Sequence, residues 1–216
     1  GADAQGLVEL SAGGQDVGYS SDADAIFVHD PLPGADEATA TKAATAVANE
    51  LRRLLSLPCA DPELVIDADL RPEGRSGALV RSIASYAAYY ARWSSPWEAQ
   101  ALLRARPLAG DESLSAEFME LIDPLRWPVD GISDPDVREV RRRKARMESE
   151  RLPKGAAASL PGKLGRGGLS DVEWVAQLLQ MRHAGEPGFE ALRVTGTLNA
   201  LEAATDLGLM TAEDRD

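Results

Sequence analysis

The stretch Asp22-Ala-Asp-Ala-Ile-Phe-Val28 constrains the fold of this chain more than any other. Ile26, Phe27 and Val28 are residues that favour a pleated, buried surface, so the segment reads as a strand. Alternation then places Asp22 and Asp24 on one face, about 7 Å apart along the chain at the usual rise per residue. Two carboxylates that close repel each other. A divalent cation between them removes the penalty, and hard oxygen donors with open coordination positions suit Mg²⁺ or Mn²⁺ carrying nucleotide phosphates.

The flanking sequence supplies the rest of such a site. Gly13-Gly14 and Gly18-Tyr-Ser20-Ser21 precede the strand and offer backbone N–H groups and hydroxyls, the materials of a phosphate-cradling turn. From Asp36 to Leu57, positions Ala40, Ala44, Val47, Leu51, Leu54 and Leu55 recur at helical spacing, with Lys42, Glu50, Arg52 and Arg53 on other faces, which predicts an amphipathic helix stopped by Pro58. Leu64-Val-Ile-Asp-Ala-Asp-Leu70 then reads as a second strand. Asp67 and Asp69 share one face of it, so either residue brings a third carboxylate to the pair.

Beyond this core the chain turns helical. Ser82 caps a helix to about Trp93, and Ser95-Pro-Trp-Glu98 is a capping box with proline in the first turn. Turn residues at Arg126-Trp-Pro-Val-Asp-Gly131 mark a domain boundary, giving an α+β domain over 1–130 and an all-α helical bundle over 131–216. Helices are predicted from Asp134 to about Arg151, from the capping box Ser170-Asp-Val-Glu173, and from Thr197 to Leu207 before Gly208. Gly1 in place of methionine, and Thr211-Ala-Glu-Asp214 opening a further helix at the end, suggest a piece of a longer chain with an incomplete helical domain.

Composition narrows the partners. A net charge of −12 over 216 residues argues against a nucleic-acid surface, which needs a positive field over its contact face. The lone Cys59 cannot form an internal bridge, and with no secretory signal or long apolar run a cytoplasmic, membrane-free protein is expected.

An Asp-x-Asp pair on a strand also marks nucleotide-sugar glycosyltransferases, so the wider pattern decides. A glycine-rich turn, a carboxylate strand, a helix and a second acidic strand resemble the polymerase-β-like nucleotidyltransferase fold. Gly18-Tyr-Ser-Ser-Asp-Ala-Asp24, Asp67-Ala-Asp-Leu-Arg-Pro-Glu-Gly74, Trp97-Glu-Ala-Gln-Ala-Leu-Leu-Arg-Ala-Arg-Pro107 and Lys163-Leu-Gly-Arg-Gly-Gly-Leu-Ser-Asp-Val-Glu173 resemble glutamine synthetase adenylyltransferase nearly end to end. The form of Asp67–Gly74 and of Ile122-Asp-Pro-Leu-Arg-Trp-Pro128 is closer to the C-terminal, adenylylating half of the actinobacterial type. The resemblance implies ATP as substrate and glutamine synthetase as protein substrate, with a PII-type signalling protein as a further candidate partner that the sequence leaves open. It puts metal on Asp22 and Asp24 with Asp67 as third carboxylate, because many relatives carry arginine where Asp69 stands. Phosphate binding is expected of Gly13, Gly14, Ser20 and Ser21; Arg71 shares strand parity with Asp67 and reads either as a bidentate phosphate ligand or as an ordinary ion-paired surface arginine. Ser20 stands where glycine is usual, and Leu10-Ser-Ala12 where a basic residue is usual; both departures touch the phosphate loop. The alternatives are phosphorolytic removal of AMP from glutamine synthetase, or a catalytically silent nucleotide-sensing module.

Other candidates have plainer readings. Arg104 and Arg106 alternate in an extended segment and present one face to phosphate or to structural carboxylates. Arg141-Arg-Arg-Lys144 is expected to be a solvated, salt-bridged helix face, Lys163–Gly168 an interdomain or packing segment, and Asp171 and Glu173 cap residues. His29 and His183 lie outside ligand spacing, and Tyr86, Tyr89, Tyr90, Trp93 and Trp97 are read as packing groups.

Overall fold

The computed structural model describes residues 4–9, 23–58, 64–93, 95–151 and 168–215. The chain divides into two compact units, one built from Gly1–Ser94 with Arg104–Asp123, the other from Ser95–Leu103 with Pro124–Asp216.

The first unit is an α+β layer on a five-stranded sheet. Strands β1 (Ala4–Glu9), β2 (Ala23–Asp30), β3 (Ile66–Asp67) and β5 (Arg106–Gly110) lie in the order β3-β2-β1-β5, and β4 (Val80–Ser82) also pairs with β2. Strand β1 runs antiparallel to both β2 and β5, whereas β3 and β4 run parallel to β2. Since β1 occupies one edge of β2, β3 and β4 take the other in succession. They act as one strand interrupted by the loop Ala68–Leu79.

Alternation along β2 sorts its side chains. Ala25 and Phe27 join Ile66, Ala68 and Val80 in a core closed by helix α1 (Glu37–Leu55) through Ala44 and Ala48, with Leu51 and Leu55 against it. The buried stripe of α1 is Ala40, Ala44 and Ala48, four residues apart, because alanine lets the helix approach the sheet closely. Val47 and Leu54, expected on the same face, lie to one side of the stripe and are half exposed. The opposite face of β2 carries Asp24, Ile26 and Val28, and the last two are buried. Helix α2 (Ile83–Trp93) sends the Tyr86 hydroxyl to the Phe27 carbonyl at 3.2 Å, and Tyr86 meets Phe118 of helix α4 (Glu112–Arg126) edge to face at 5.2 Å.

The second unit is helical: α3 (Pro96–Leu102), α5 (Asp134–Arg151), α6 (Leu169–His183), α7 (Thr197–Asp206) and α8 (Ala212–Arg215). Its core gathers Ala99 and Leu103 with Trp127, Met181, Ala184, Leu192 and Ala204. The segment 95–103 joins this core, so the second unit draws on two stretches of chain. The expected capping box opens α3, with the Glu98 carboxylate accepting from Ser95 N at 3.0 Å. Helix α6 begins one residue before the expected Ser170, on Gly168 as N-cap. Asp171 there pairs with Lys144 of α5, so its carboxylate ties two helices. Arg143 lies 4.2 Å from the Trp97 ring centroid, so one member of the exposed basic run stacks over an aromatic face. Among the described residues, no helix is long and apolar enough to cross a membrane.

Candidate active site

Strand pairing assembles the acidic centre. Asp24 and Asp67 are register partners on the parallel strands β2 and β3, so they share one face of the sheet with backbones one inter-strand spacing apart, about 4.8 Å. Repulsion between two such carboxylates amounts to roughly 1 kcal/mol in water-like surroundings and about 3 kcal/mol at an effective dielectric near 20. A divalent cation reverses that sign, and the oxygen donors present are those Mg²⁺ or Mn²⁺ takes, so the residues fit the metal the fold implies.

Asp69 has a different place. It lies in the turn beyond β3, where one carboxylate oxygen takes Arg75 Nε at 2.5 Å and the other faces Arg71 Nη1 at 3.6 Å. The Asp69 contact raises the Arg75 guanidinium above its usual range. The strand expected to run to Leu70 stops at Asp67 because the Asp69 N–H turns back onto Asp67 Oδ1 at 2.7 Å, and the ladder loses its donor.

Arg71 is buried and directed at its own loop. Nη1 donates to the Ala68 carbonyl at 2.8 Å, Nε to the Gly77 carbonyl at 3.1 Å, and Nη2 to the Arg75 carbonyl at 3.2 Å. Three of the five guanidinium N–H donors are thereby committed to backbone. Gly77 is required at the crossing, since a Cβ there would stand 2.1 Å from the Pro72 carbonyl oxygen.

Arg81 carries no signal in the sequence reading, yet β4 places it in register with Val28, hence on the Asp24 face. Its guanidinium pairs with Glu73 and lies 5.7 Å from the Tyr89 ring centroid. Only strand pairing reveals it, because nothing in Val80-Arg-Ser82 marks a site. Arg106 is the register partner of Glu9, which pairs with Ala25, so alternation puts it on the face opposite Asp24. Arg104 is buried.

Asp22, Gly13, Gly14, Ser20 and Ser21 lie outside the described residues, as do Cys59 and Lys163–Gly167. Among the described residues no group of three or more potential ligands gathers in one place.

A mixed sheet with helices packed on it, and an acidic strand beside a second one, is the architecture of the polymerase-β-like nucleotidyltransferases, here followed by helices. The chain belongs to the glutamate-ammonia ligase adenylyltransferase family, whose model matches residues 11–121. A second model, PII-uridylyltransferase, matches residues 138–216. A relative from Streptomyces avermitilis is 61% identical over 203 residues, covering 94% of this chain and 20% of the relative. One from Streptomyces coelicolor is 60% identical over 201 residues, 93% of this chain and 20% of the relative. A third, from Mycobacterium tuberculosis, is 54% identical over 190 residues, 88% and 19% respectively. All three are named bifunctional glutamine synthetase adenylyltransferase/adenylyl-removing enzyme. The chain spans about a fifth of the length of these relatives.

Proposed function

We propose that this chain transfers AMP from ATP to a tyrosine hydroxyl of glutamine synthetase. The observation that carries the reading is the pairing of Asp24 with Asp67 on adjacent strands, in a chain whose relatives bear that activity in their names. Asp22, Asp24 and Asp67 would hold Mg²⁺ or Mn²⁺, which supplies charge neutralisation for the triphosphate. Gly13, Gly14, Ser20 and Ser21 are proposed to seat the β and γ phosphates. The tyrosine oxygen attacks the α phosphorus, the bond to the bridging oxygen breaks, and pyrophosphate leaves. Asp67 orients the incoming hydroxyl and accepts its proton, so the protein's share of catalysis is positioning and electrostatics. Arg71, committed to loop carbonyls, is better suited to shaping the site than to gripping phosphate.

The relatives' second name favours one other reading, phosphate attack on tyrosyl-AMP with release of ADP. Both reactions use the same carboxylates and share a cytoplasmic setting with their protein substrate. The match of residues 138–216 to the PII-uridylyltransferase model supports a PII-type signalling protein as a further partner.

The experiment is to follow labelled AMP from ATP onto glutamine synthetase with the intact protein, and ADP formation from adenylylated glutamine synthetase with phosphate. AMP incorporation without phosphorolysis supports the first reading, and the reverse supports the second. Asp22→Asn and Asp24→Asn are each expected to abolish incorporation with the fold intact; full activity in either sinks the metal assignment. Metal-dependent ATP binding with neither reaction would mark a silent sensing module.

A further inference from the structure

We propose that Arg71 is a positioning residue that sets the carboxylate of Asp67 through the loop Ala68–Leu79; the inference rests on the reading of Asp67 as a metal-binding carboxylate. Asp67 ends a two-residue strand, and a strand end two residues long does little to hold a side chain. What holds it is the bond from the Asp69 N–H to Oδ1, which fixes one oxygen of the carboxylate and leaves Oδ2 for the cation. That bond requires the chain to reverse at Ala68 and Asp69.

The reversal is built around the Arg71 guanidinium. It binds the carbonyl of Ala68, between the two aspartates, and the carbonyls of Arg75 and Gly77 on the returning strand of the loop. The Arg71 backbone N–H closes the same turn onto the Ala68 carbonyl at 3.2 Å, and Pro72 beside it is fully buried. Three carbonyl acceptors at three angles match the planar fork of arginine and not the single ammonium of lysine. Removal of the guanidinium takes this donor from the Arg75 and Gly77 carbonyls and leaves the Ala68 carbonyl with the Arg71 N–H, which loosens the turn. Arg75, by contrast, is exposed and grips Asp69 from the solvent side.

The test measures Mn²⁺ binding to the intact protein by electron paramagnetic resonance, with and without ATP, for wild type, Arg71→Lys, Arg71→Met, Arg75→Gln and Asp67→Asn. Arg71→Lys and Arg71→Met are expected to weaken Mn²⁺ affinity by about 10- to 100-fold, the usual range for loss of a group that orients a ligand. Lysine should fail like methionine because it keeps the charge without the fork, and Arg75→Gln should stay within about twofold of wild type, well short of that range. A lower melting temperature for both Arg71 variants with wild-type Mn²⁺ affinity in the folded protein would overturn the proposal and leave Arg71 a packing residue. Unchanged affinity in Asp67→Asn would instead overturn the carboxylate assignment itself. Amide exchange on the wild type needs no variant: the Asp69 N–H should be protected, and exchange at the free-peptide rate would also overturn the proposal.

Discussion

Asp24 and Asp67 are held side by side by main-chain pairing, so their mutual repulsion is a cost the fold carries when no cation is present. Asp67→Asn removes one of the two charges while keeping the shape. In metal-free protein the variant should therefore melt at a higher temperature than wild type, by an amount corresponding to roughly 1 kcal/mol. Calorimetry in a chelating buffer checks the sign, and a lower melting temperature would show that other groups already neutralise the pair. His29, outside any ligand spacing, is a core residue whose Nε2 lies 2.9 Å from Thr41 Oγ1.

Helix α1 and the loop after β3 show how elements set these residues. The N-cap of α1 is Asp36, which accepts from the Thr39 hydroxyl at 2.7 Å and from the Thr39 N–H at 2.8 Å. These bonds hold the Asp36 carboxyl below its usual pKa, the hydroxyl contributing most. A carboxyl depressed in the folded state stabilises above its unfolded pKa, near 3.9, and the contribution fades as pH falls through the folded value. Asp36→Ala should thus lower the melting temperature at pH 7, and the gap to wild type should close below about pH 4; a gap constant to pH 2 would mean the cap acts without its charge. At the other end of the first unit, Gly77→Ala drives a methyl into the Pro72 carbonyl. Urea denaturation should register a loss of about 1–3 kcal/mol, accompanied by weaker Mn²⁺ binding because the same loop carries the Asp69 N–H.

At the scale of the molecule, the two units draw on interleaved stretches of chain. Leu103 belongs to the helical core although Arg104 and the strand β5 behind it belong to the sheet. Leu103→Ala should cost about 2–5 kcal/mol, and Phe118→Ala about 3–5 kcal/mol. Hydrogen exchange followed by peptide should show the first loss across α6 and α7 and the second across β2 and α2; the same pattern for both would mean that the units unfold as one. Close backbone approach is a second signature of the helical unit, since a Cβ on Gly185 would lie 1.9 Å from the Pro128 carbonyl oxygen.

Local chemistry made much of this legible in the residues themselves. The strand through Ile26–Val28, the helices from Asp36, Ser82, Ser95, Asp134 and Thr197, and the pairing of acidic residues all follow from side-chain period, caps and charge, which act within a few residues. Strands β1 and β4 were not legible, because Ala4–Glu9 and Val80–Ser82 have little β character of their own and become strands through partners far along the chain. The same holds for choices between near-equals. Asp67 and Asp69 share a face in an ideal strand, and only the register with β2 and the loop carbonyls around Arg71 place one beside Asp24 and turn the other toward Arg75. Residue type and spacing determined which carboxylates, hydroxyls and guanidinium groups this protein carries and on which elements they fall. Long-range hydrogen bonding, which no local window contains, decided which of them meet.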